Sequence, residues 1–370
     1  MSNSLGTLFR VTSFGESHGR CVGVVVDGCP SGLKIDEEDI QPELDRRRPG
    51  QSSITTSRSE EDRVEILSGI FKGYTTGAPI CLLTWNRDHD SSKYESLRFT
   101  PRPGHADYTS YLKYGGYNDY RGGGRFSGRI TAGFVMAGAI AKKLLRETHR
   151  FEVLAHTINI GGIESEERDM KAIRSRTNEN IVRCADPEAA ERMIEAIQDA
   201  SSKGDSLGGI IEGIIEGLPP GVGEPVFNTL EGDLSKALYS IPAIKAVEFG
   251  IGTEYAALKG SKTNDDFILR RGRVMTETNN AGGILGGISN GMPVTFKVTV
   301  KPTPSIGKEQ RTIDLREGGE ATIKIKGRHD PCIVPRAVPV VEGVVALILV
   351  DHLLISGDIP KVLETVNRVI

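Results

Sequence analysis

The chain has 370 residues, of which 38% are hydrophobic, so it can bury a sizeable core, and we expect residues 1–370 to form a single domain. Its 46 Lys and Arg and 49 Asp and Glu give a net charge of −3, which does not favour nucleic acid or an anionic membrane as a partner. The five cysteines form no Cys-x-x-Cys pair, and the N-terminus lacks a signal-peptide pattern. These features predict a cytoplasmic protein with reduced thiols and no metal site.

Alternating apolar and polar residues, clearest at 294–301, predict antiparallel strands with one wet face. In chain order, the strand-like segments are 21–26, 64–70, 79–85, 210–215, 294–301 and 321–325. Helical patterns cover 128–145, 186–202 and 338–354. Glu342, Asp351 and His352 interrupt the last pattern, which predicts a buried helix and not a membrane span. The sequence therefore predicts an α+β fold without strict βαβ alternation.

Six segments place polar or charged residues among glycines and prolines, and they come from both ends and the middle of the chain. They are SFGESHG (13–19), DRRRPG (45–50), RPGHAD (102–107), RGGGRFSGR (121–129), NNAGGILGGISNG (279–291) and GRHDPC (327–332). Loops gathered from distant parts of a sequence are a common construction of an active site. These segments are therefore the candidate site.

His18 and His105 are the candidate proton-transfer groups, because imidazole titrates near neutral pH. Gly15 and Gly19 flank His18 and let the backbone approach a ligand closely. Each histidine is equally compatible with a turn in which its ring simply has a satisfied hydrogen bond. The residues alone leave both interpretations open.

Arginines cluster in two places. Between residues 101 and 129 there are five basic and two acidic residues, a local surplus of three in an acidic chain. The glycines at 122–124 free backbone N–H groups, Arg125 and Arg129 can bind oxyanions in bidentate fashion, and the following helix N-terminus attracts anions. The triple arginine at 46–48 is compatible with an anion site or with a solvated face.

The run NNAGGILGGISNG fits neither the dinucleotide fingerprint nor the phosphate-binding Walker loop, and an ordinary glycine-rich turn is the alternative. Asp330 lies among charge-capable neighbours, so it is either an ion-pair partner or a carboxylate tuned for proton transfer. From the residues alone, the sequence indicates an α+β protein that acts on a phosphorylated small molecule.

Eight segments, in this order, resemble the chorismate synthases from about residue 8 to about residue 354: SFGESHG, LDRRRPGQ, RPGHADYT, DYRGGGR, GDSLGG, NAGGILGGISNG, KPTPS and GRHDPC. The resemblance implies antiparallel sheets that sandwich core helices in two pseudo-equivalent halves, assembled as a homotetramer. It also implies a carbon–oxygen lyase of the shikimate pathway that eliminates phosphate from 5-enolpyruvylshikimate 3-phosphate, by anti-1,4 elimination, to give chorismate. That reaction is redox-neutral yet requires reduced FMN.

The resemblance also implies roles for individual residues. His18 would protonate the departing phosphate, His105 would lie beside N1 and the C2 carbonyl of the flavin, and Asp330 would assist proton removal through flavin N5. The implied substrate-binding residues are Arg47, Arg102, Ser127 and Arg129. The implied cofactor-binding residues are Arg47, Arg125, Phe126, Ser127, Pro242, Ala243, Gly286, Lys301, Pro302, Thr303, Pro304, Ser305 and Arg328.

The chain departs from the family pattern at two positions. Ser53 stands where some members have a basic residue that is linked, with Arg47, to NADPH, so the use of NADPH is an open question. Asn280 stands where many members have His, and we expect the flavin loop to tolerate it. The sequence does not decide between intrinsic flavin reduction by NADPH and an external flavin reductase as a partner.

Two alternatives belong to other functional classes. A non-catalytic flavin- or nucleotide-binding protein would keep the pocket and lose the chemistry, but intact His18, His105 and Asp330 argue against it. An RNA-binding protein would use the arginines, but the acidic total and an aromatic content of 6% offer few stacking platforms.

Overall fold

The structure is a computed structural model that describes residues 3–50, 60–87, 91, 94–95, 97–149, 151–325 and 330–363. Its strands are β1 Ser4–Leu5, β2 Arg10–Gly15, β3 Cys21–Asp27, β4 Glu65–Ile66, β5 Ile70–Phe71, β6 Tyr74–Thr75, β7 Ile80–Trp85, β8 Glu152–Ile160, β9 Ile163–Glu164, β10 Gly209–Glu216, β11 Ile244–Phe249, β12 Phe267–Arg270, β13 Arg273–Thr276, β14 Ile284–Leu285, β15 Ile288–Ser289, β16 Val294–Val300, β17 Glu309–Asp314 and β18 Gly319–Lys324. Its α-helices are α1 Glu37–Arg47, α2 Asp107–Tyr114, α3 Thr131–Thr148, α4 Met170–Arg176, α5 Pro187–Ser202, α6 Leu230–Tyr239, α7 Gly260–Thr263 and α8 Val334–Ile355.

Two five-stranded antiparallel sheets form the outer layers of a sandwich, with the orders β1-β2-β3-β7-β4 and β11-β16-β10-β8-β9. Helix α3 packs on β3 and β7 of the first sheet, α8 packs on β8 and β10 of the second, and α3 and α8 pack against each other. Each half therefore combines a five-stranded sheet with core helices. This arrangement confirms the predicted α+β sandwich of two pseudo-equivalent halves.

Most predicted elements are confirmed within a few residues, and the alternation at 294–301 appears as regular inward and outward faces of β16. Helix α8 begins four residues earlier than predicted, with Pro335 in its first turn, where a missing N–H costs nothing. It is long and apolar enough to span a membrane, yet 89% of its most apolar window is buried inside the protein. It is thus a core helix, as predicted.

The predicted strand 64–70 is wrong as one element. It contains β4 and only the first residue of β5, because the chain turns at Gly69, where φ is +83°. A Cβ at Gly69 would lie 2.8 Å from the Cα atom of Ile80, so the turn requires glycine. Apolar spacing does not reveal a backbone reversal of this kind.

Glycines bring helices α3 and α8 into close contact at the centre of the sandwich. A Cβ at Gly138 of α3 would lie 2.4 Å from the Cα atom of Gly343 of α8, which is too close for any packing. A substitution at Gly343 has more room, since the atom nearest to a Cβ there would be the carbonyl oxygen of Phe134, at 3.4 Å. The contact thus depends on the missing side chain at Gly138.

Gly138→Ala is expected to lower the free energy of unfolding by about 1–3 kcal/mol, since a backbone clash outweighs the roughly 1 kcal/mol that alanine adds to helix propensity. Gly343→Ala is the matched control in the same contact and should change stability far less. Urea denaturation midpoints measure both. Equal midpoints for the two variants would show that α3 and α8 move apart at little cost.

A buried charge cluster joins helices α1, α3 and α8. Glu342 of α8 accepts hydrogen bonds from Arg46 Nη1 at 2.6 Å, Arg46 Nη2 at 2.9 Å and Lys142 Nζ at 2.8 Å. Glu43 accepts from the same two cations, at 2.8 Å from Arg46 and 2.7 Å from Lys142. Although burial alone would raise it, the pKa of Glu342 is lowered to about 2 by Lys142 and Arg46. The cluster holds the end of α1 next to the cavity described below.

Asp351, near the end of α8, binds the segment before β2. Its carboxylate accepts backbone hydrogen bonds from Thr7 at 2.7 Å, Leu8 at 2.7 Å and Phe9 at 2.8 Å. The carboxylate is buried, and these three N–H groups compensate for its lost hydration. The first sheet is therefore attached directly to the last described helix.

Candidate active site

A cavity of about 550 Å³ lies where the end of α1, the starts of α3 and α8 and the end of β16 meet. This volume falls within the range of about 300–1,000 Å³ usual for small-molecule sites. The sequence-predicted residues that line it are His18, Arg47, Arg102, His105, Arg125, Phe126, Ser127, Arg129, Pro242, Ala243, Lys301, Thr303, Pro304, Ser305 and Asp330. Segments from seven regions of the chain therefore converge on one cavity.

Five of the residues singled out from the sequence are not among its lining. Gly286 lies in the turn between β14 and β15, and Pro302 follows β16 without facing the cavity. Arg328 and Ser53 lie outside the described residues. Asn280 donates its side-chain amide to Thr263 O and Thr278 Oγ1, both at 3.3 Å, and so closes its own loop.

His18 lies buried at one wall of the cavity, at the end of the loop after β2. Its Nδ1 atom is 3.0 Å from Ser91 Oγ, and its ring packs edge-on against Tyr94 at a centroid distance of 5.0 Å. A Cβ at Gly122 would lie 2.5 Å from the His18 Nε2 atom, so only glycine fits there. The Nε2 side of the ring thus faces the glycine turn that borders the cavity.

The RGGGRFSGR segment forms that turn. Gly122, Gly123 and Gly124 have φ values of +58°, +83° and +52°, a run of left-handed residues that other side chains adopt only with strain. Arg125 donates to the carbonyl oxygens of Gly15 at 2.9 Å and Ser13 at 3.2 Å. Burial lowers the pKa of Arg125. Its side chain therefore anchors the turn to β2 while bordering the cavity.

Arg47 and Arg129 share a buried counter-ion, Asp62. Arg47 Nη1 donates to Asp62 Oδ2 at 3.1 Å, and Arg129 Nη1 donates to Asp62 Oδ1. Arg47 also donates to the carbonyl oxygen of Gly128 at 2.7 Å and to Thr131 Oγ1 at 3.2 Å. Burial, together with the other nearby guanidinium groups, lowers the pKa of Arg47 to about 9 despite Asp62. An anion in the cavity would relieve this unfavourable concentration of positive charge.

A second carboxylate, Asp107, organises the RPGHAD segment. Arg102 donates to it through Nε at 2.7 Å and Nη2 at 2.8 Å, and Arg102 Nη1 donates to Ser305 Oγ at 3.1 Å. His105 Nδ1 lies 2.7 Å from Asp107 Oδ1. Burial acts to raise the pKa of Asp107, but hydrogen bonds from Arg102 and His105 hold it well below its usual range. The carboxylate is therefore ionised at neutral pH.

Asp330 is paired with Arg336, which lies in the first turns of α8 and also lines the cavity. Arg336 Nη1 donates to Asp330 Oδ2, while Arg336 Nε donates to the carbonyl oxygen of Arg47 at 3.1 Å. One guanidinium group thus connects the candidate proton-transfer carboxylate to the end of α1.

The lining fits an anionic, hydrogen-bonding ligand with an extended ring. Ser17 Oγ and Thr303 Oγ1 are buried beside the cavity and, within the part of the chain that the structure describes, have no hydrogen-bond partner. Burial, with help from the nearby Lys245, lowers the pKa of Lys301, which an anion would reverse. Proline and alanine at 242–243 add an apolar surface. These features suit phosphate and flavin groups. Among the described residues, no group of three or more His, Cys, Asp or Glu side chains could hold a metal ion.

The family model for chorismate synthase matches residues 9–354, a span that includes every segment lining this cavity. The chain belongs to the chorismate synthase family. It is 55% identical over 364 residues to a chorismate synthase of Dehalococcoides mccartyi, covering 98% of this chain and all of that one. It is 54% identical to a chorismate synthase of Methanococcoides burtonii, covering 96% of this chain and 97% of that one. A crystal structure of a chorismate synthase superposes with a TM-score of 0.75 at 30% identity, covering 95% of this chain and 93% of that chain.

Sequence reasoning missed three charged residues of the site: Asp62, Asp107 and Arg336. Asp107 lies within the RPGHAD segment, and its acidic side chain shortly after Arg102 and His105 was the available signal. Asp62 and Arg336 carry no such signal, because each reaches the site only through the fold.

Proposed function

We propose that this cavity eliminates phosphate from 5-enolpyruvylshikimate 3-phosphate to give chorismate. The observation that carries the proposal is the convergence of His18, His105 and Asp330 with guanidinium groups from four segments in one cavity. Membership of the chorismate synthase family supports the same reaction.

In this reaction the C3–O bond breaks and its electron pair leaves with phosphate, the C6–H proton departs, and a new double bond forms, so no net oxidation occurs. Arg47, Arg102 and Arg129 would bind the anionic groups of the substrate, and Ser127 would donate its hydroxyl. His18, with its Nε2 side toward the cavity, would give a proton to the departing phosphate. Asp330 would receive the proton from C6, with Arg336 holding its orientation.

Reduced FMN, when bound, would supply electron density that eases the departure of phosphate and is regained as the proton leaves. The residues that would hold it are Arg125, Phe126, Pro242, Ala243, Lys301, Thr303, Pro304 and Ser305, with Arg328 outside the described residues. Their mixture of cations, hydroxyls and apolar surface matches a phosphorylated ring system. His105, which also lines the cavity, would compensate negative charge on the reduced flavin.

The test is an anaerobic assay of purified protein with 5-enolpyruvylshikimate 3-phosphate and chemically reduced FMN. Chorismate absorbance and phosphate release are followed together and are expected to rise in equal amounts. A folded protein that binds flavin and releases neither product would instead be the non-catalytic flavin-binding protein. Repeating the assay with oxidised FMN and NADPH distinguishes intrinsic flavin reduction from dependence on an external reductase.

Asp330→Asn is expected to bind substrate normally and to form chorismate about 10²-fold more slowly in single turnovers, because an amide cannot accept the proton. The shape of the side chain and one acceptor for Arg336 are retained. Asp314→Asn, on the exposed hairpin β17–β18, is the control and should turn over like the wild type. An Asp330→Asn rate equal to that of the control would remove Asp330 from the proton-transfer role.

We also propose that the protein is a cytoplasmic homotetramer. The hairpin β12–β13 supports assembly, because Phe267, Leu269 and Val274 are 68%, 78% and 63% exposed on it. Apolar groups that are so exposed and so close together are typical of a surface that another subunit covers. Light scattering of the purified protein measures the mass.

A further inference from the structure

We propose that Asp107 is a positioning residue that fixes His105 in the tautomer protonated at Nδ1, so that Nε2 is the nitrogen available to a bound ligand. The proposal rests on the function proposed above, because it says which nitrogen of His105 faces the bound ligand. It also gives Asp107 a second task, the orientation of Arg102.

The carboxylate of Asp107 is surrounded by donors from the preceding loop. Its Oδ2 atom accepts from the backbone N–H of Arg102 at 3.0 Å and from Arg102 Nε at 2.7 Å. Its Oδ1 atom accepts from Arg102 Nη2 at 2.8 Å and faces His105 Nδ1 at 2.7 Å. Asp107 is also the first residue of α2, where the helix dipole favours a negative charge.

These distances determine where the imidazole proton lies. Arg102 Nη2 is 3.1 Å from His105 Nδ1, so this nitrogen has a permanent donor on one side and a carboxylate oxygen on the other. An unprotonated Nδ1 could accept from Arg102 but would place its lone pair 2.7 Å from a carboxylate oxygen, which is repulsive. A protonated Nδ1 donates to Asp107 in a short charge-assisted hydrogen bond. The second arrangement is favoured, because the carboxylate contact is shorter and Arg102 Nη2 already has an acceptor in Asp107 Oδ1 at 2.8 Å.

The other ring nitrogen then faces the site. A Cβ at Gly123 would lie 3.0 Å from His105 Cε1 and 3.2 Å from Nε2, so this edge of the ring points to the glycine turn. The ring itself lines the cavity. Since Nδ1 keeps its proton, Nε2 carries the free lone pair of the neutral ring and is the acceptor available to a bound ligand. The arrangement is that of other catalytic histidines that a carboxylate orients.

Asp107→Asn tests the proposal, because it retains size but offers one oxygen and one NH₂ group. Arg102 holds the oxygen through its backbone N–H and Nε, so the NH₂ group faces His105 Nδ1 and donates to it. The imidazole proton must then move to Nε2. We expect kcat to fall by about 10²- to 10⁴-fold, as when an orienting aspartate is replaced beside a catalytic histidine, with a smaller rise in KM from the disturbed Arg102.

The tautomer is read directly by ¹⁵N NMR of histidine-labelled protein without substrate. His105→Asn identifies the His105 signal among those of the seven histidines. Wild-type protein should show Nδ1–H, and Asp107→Asn should show Nε2–H. A protein in which Asp107 served only as a structural contact would lose stability without this exchange of tautomers.

The control is Asp169→Asn, since Asp169 caps α4 outside the cavity lining and asparagine caps equally well. Its kcat should match the wild type. A wild-type spectrum with the His105 proton on Nε2 would overturn the proposal, and this result does not require Asp107→Asn to fold. An Asp107→Asn variant with unchanged kcat would also overturn it. If the wild-type protein showed no turnover, that result would count against the proposed function but not against the assigned tautomer, because the NMR result does not depend on activity.

Discussion

His18→Ala is expected to fold, to bind reduced FMN as the wild type does, and to lose about 10²- to 10⁴-fold in kcat, the usual contribution of a proton-transfer group. The phosphate dianion is a poor leaving group until it is protonated or neutralised. The Nε2 side of His18 faces the glycine turn at the cavity wall. The arginines that would bind the anionic groups of the substrate line the same cavity. Alanine removes the proton donor and leaves those cations in place.

The measurement is single-turnover phosphate release under anaerobic conditions, with flavin binding checked separately by absorbance. His149→Ala is the matched control, because His149 follows α3 and hydrogen-bonds only locally, to Thr148, among the contacts the structure describes. A His18→Ala rate near that of the control would exclude His18 from the chemistry. Added imidazole should recover part of the lost rate if the missing group is a proton donor.

Glu342→Gln should lower the free energy of unfolding by about 3 kcal/mol, because breaking a buried ion pair leaves the partner charges uncompensated. Arg46 and Lys142 would both lose their strongest acceptor inside the α1–α3–α8 contact. The side chains of Arg46 and Lys142 are 22% and 15% exposed, so water compensates part of their charge. The expected loss in the free energy of unfolding is therefore at the lower end of the usual range. Urea denaturation at neutral pH measures the change. Glu195→Gln, on the exposed side of α5, is the control.

The same residue predicts a pH dependence with a definite sign. The folded-state pKa of Glu342 is lowered from 4.5 to about 2, so its contribution is complete above about pH 4.5 and is lost as the pH falls toward 2. Glu342→Gln lacks that titration. The stability difference between wild type and variant should therefore shrink between pH 4.5 and pH 2. A difference that stays constant over this interval would show that Glu342 is not the charged centre of the cluster.

The fold was predictable where apolar residues recur along the chain with the period of a strand or a helix. The alternation in β16 and the apolar runs of α3 and α8 predict these elements and their buried faces, whereas the sandwich arrangement was implied only by the family resemblance. Strand 64–70 was not predictable, because the turn at Gly69 depends on the nearby backbone of Ile80. Contacts between residues that are distant in the sequence do not produce a periodic pattern of apolar residues.

The triple arginine shows the same limit within the site. Arg46 enters the buried cluster with Glu342, Arg47 borders the cavity, and Arg48 lies 3.6 Å from Asp45 with 43% of its side chain exposed. The three residues therefore lie in three different environments, and of the three only Arg47 is placed where it could meet an anion in the cavity. Consecutive residues at a helix end point in different directions, about 100° apart. Only the position of α1 between α3 and α8 decides which arginine reaches which environment.

The central place of α8 has a consequence for how the protein is made. A ribosome must synthesise nearly every other described element before it reaches residue 334. Until then, α3 has no partner at Gly138, the segment at Thr7–Phe9 has no Asp351 to bind, and the Arg47 carbonyl lacks Arg336. Contacts of such wide sequence separation form late and slowly. Before α8 emerges, the second sheet therefore lacks the helix that packs on β8 and β10, and the cavity lacks the wall that residues 333–340 form.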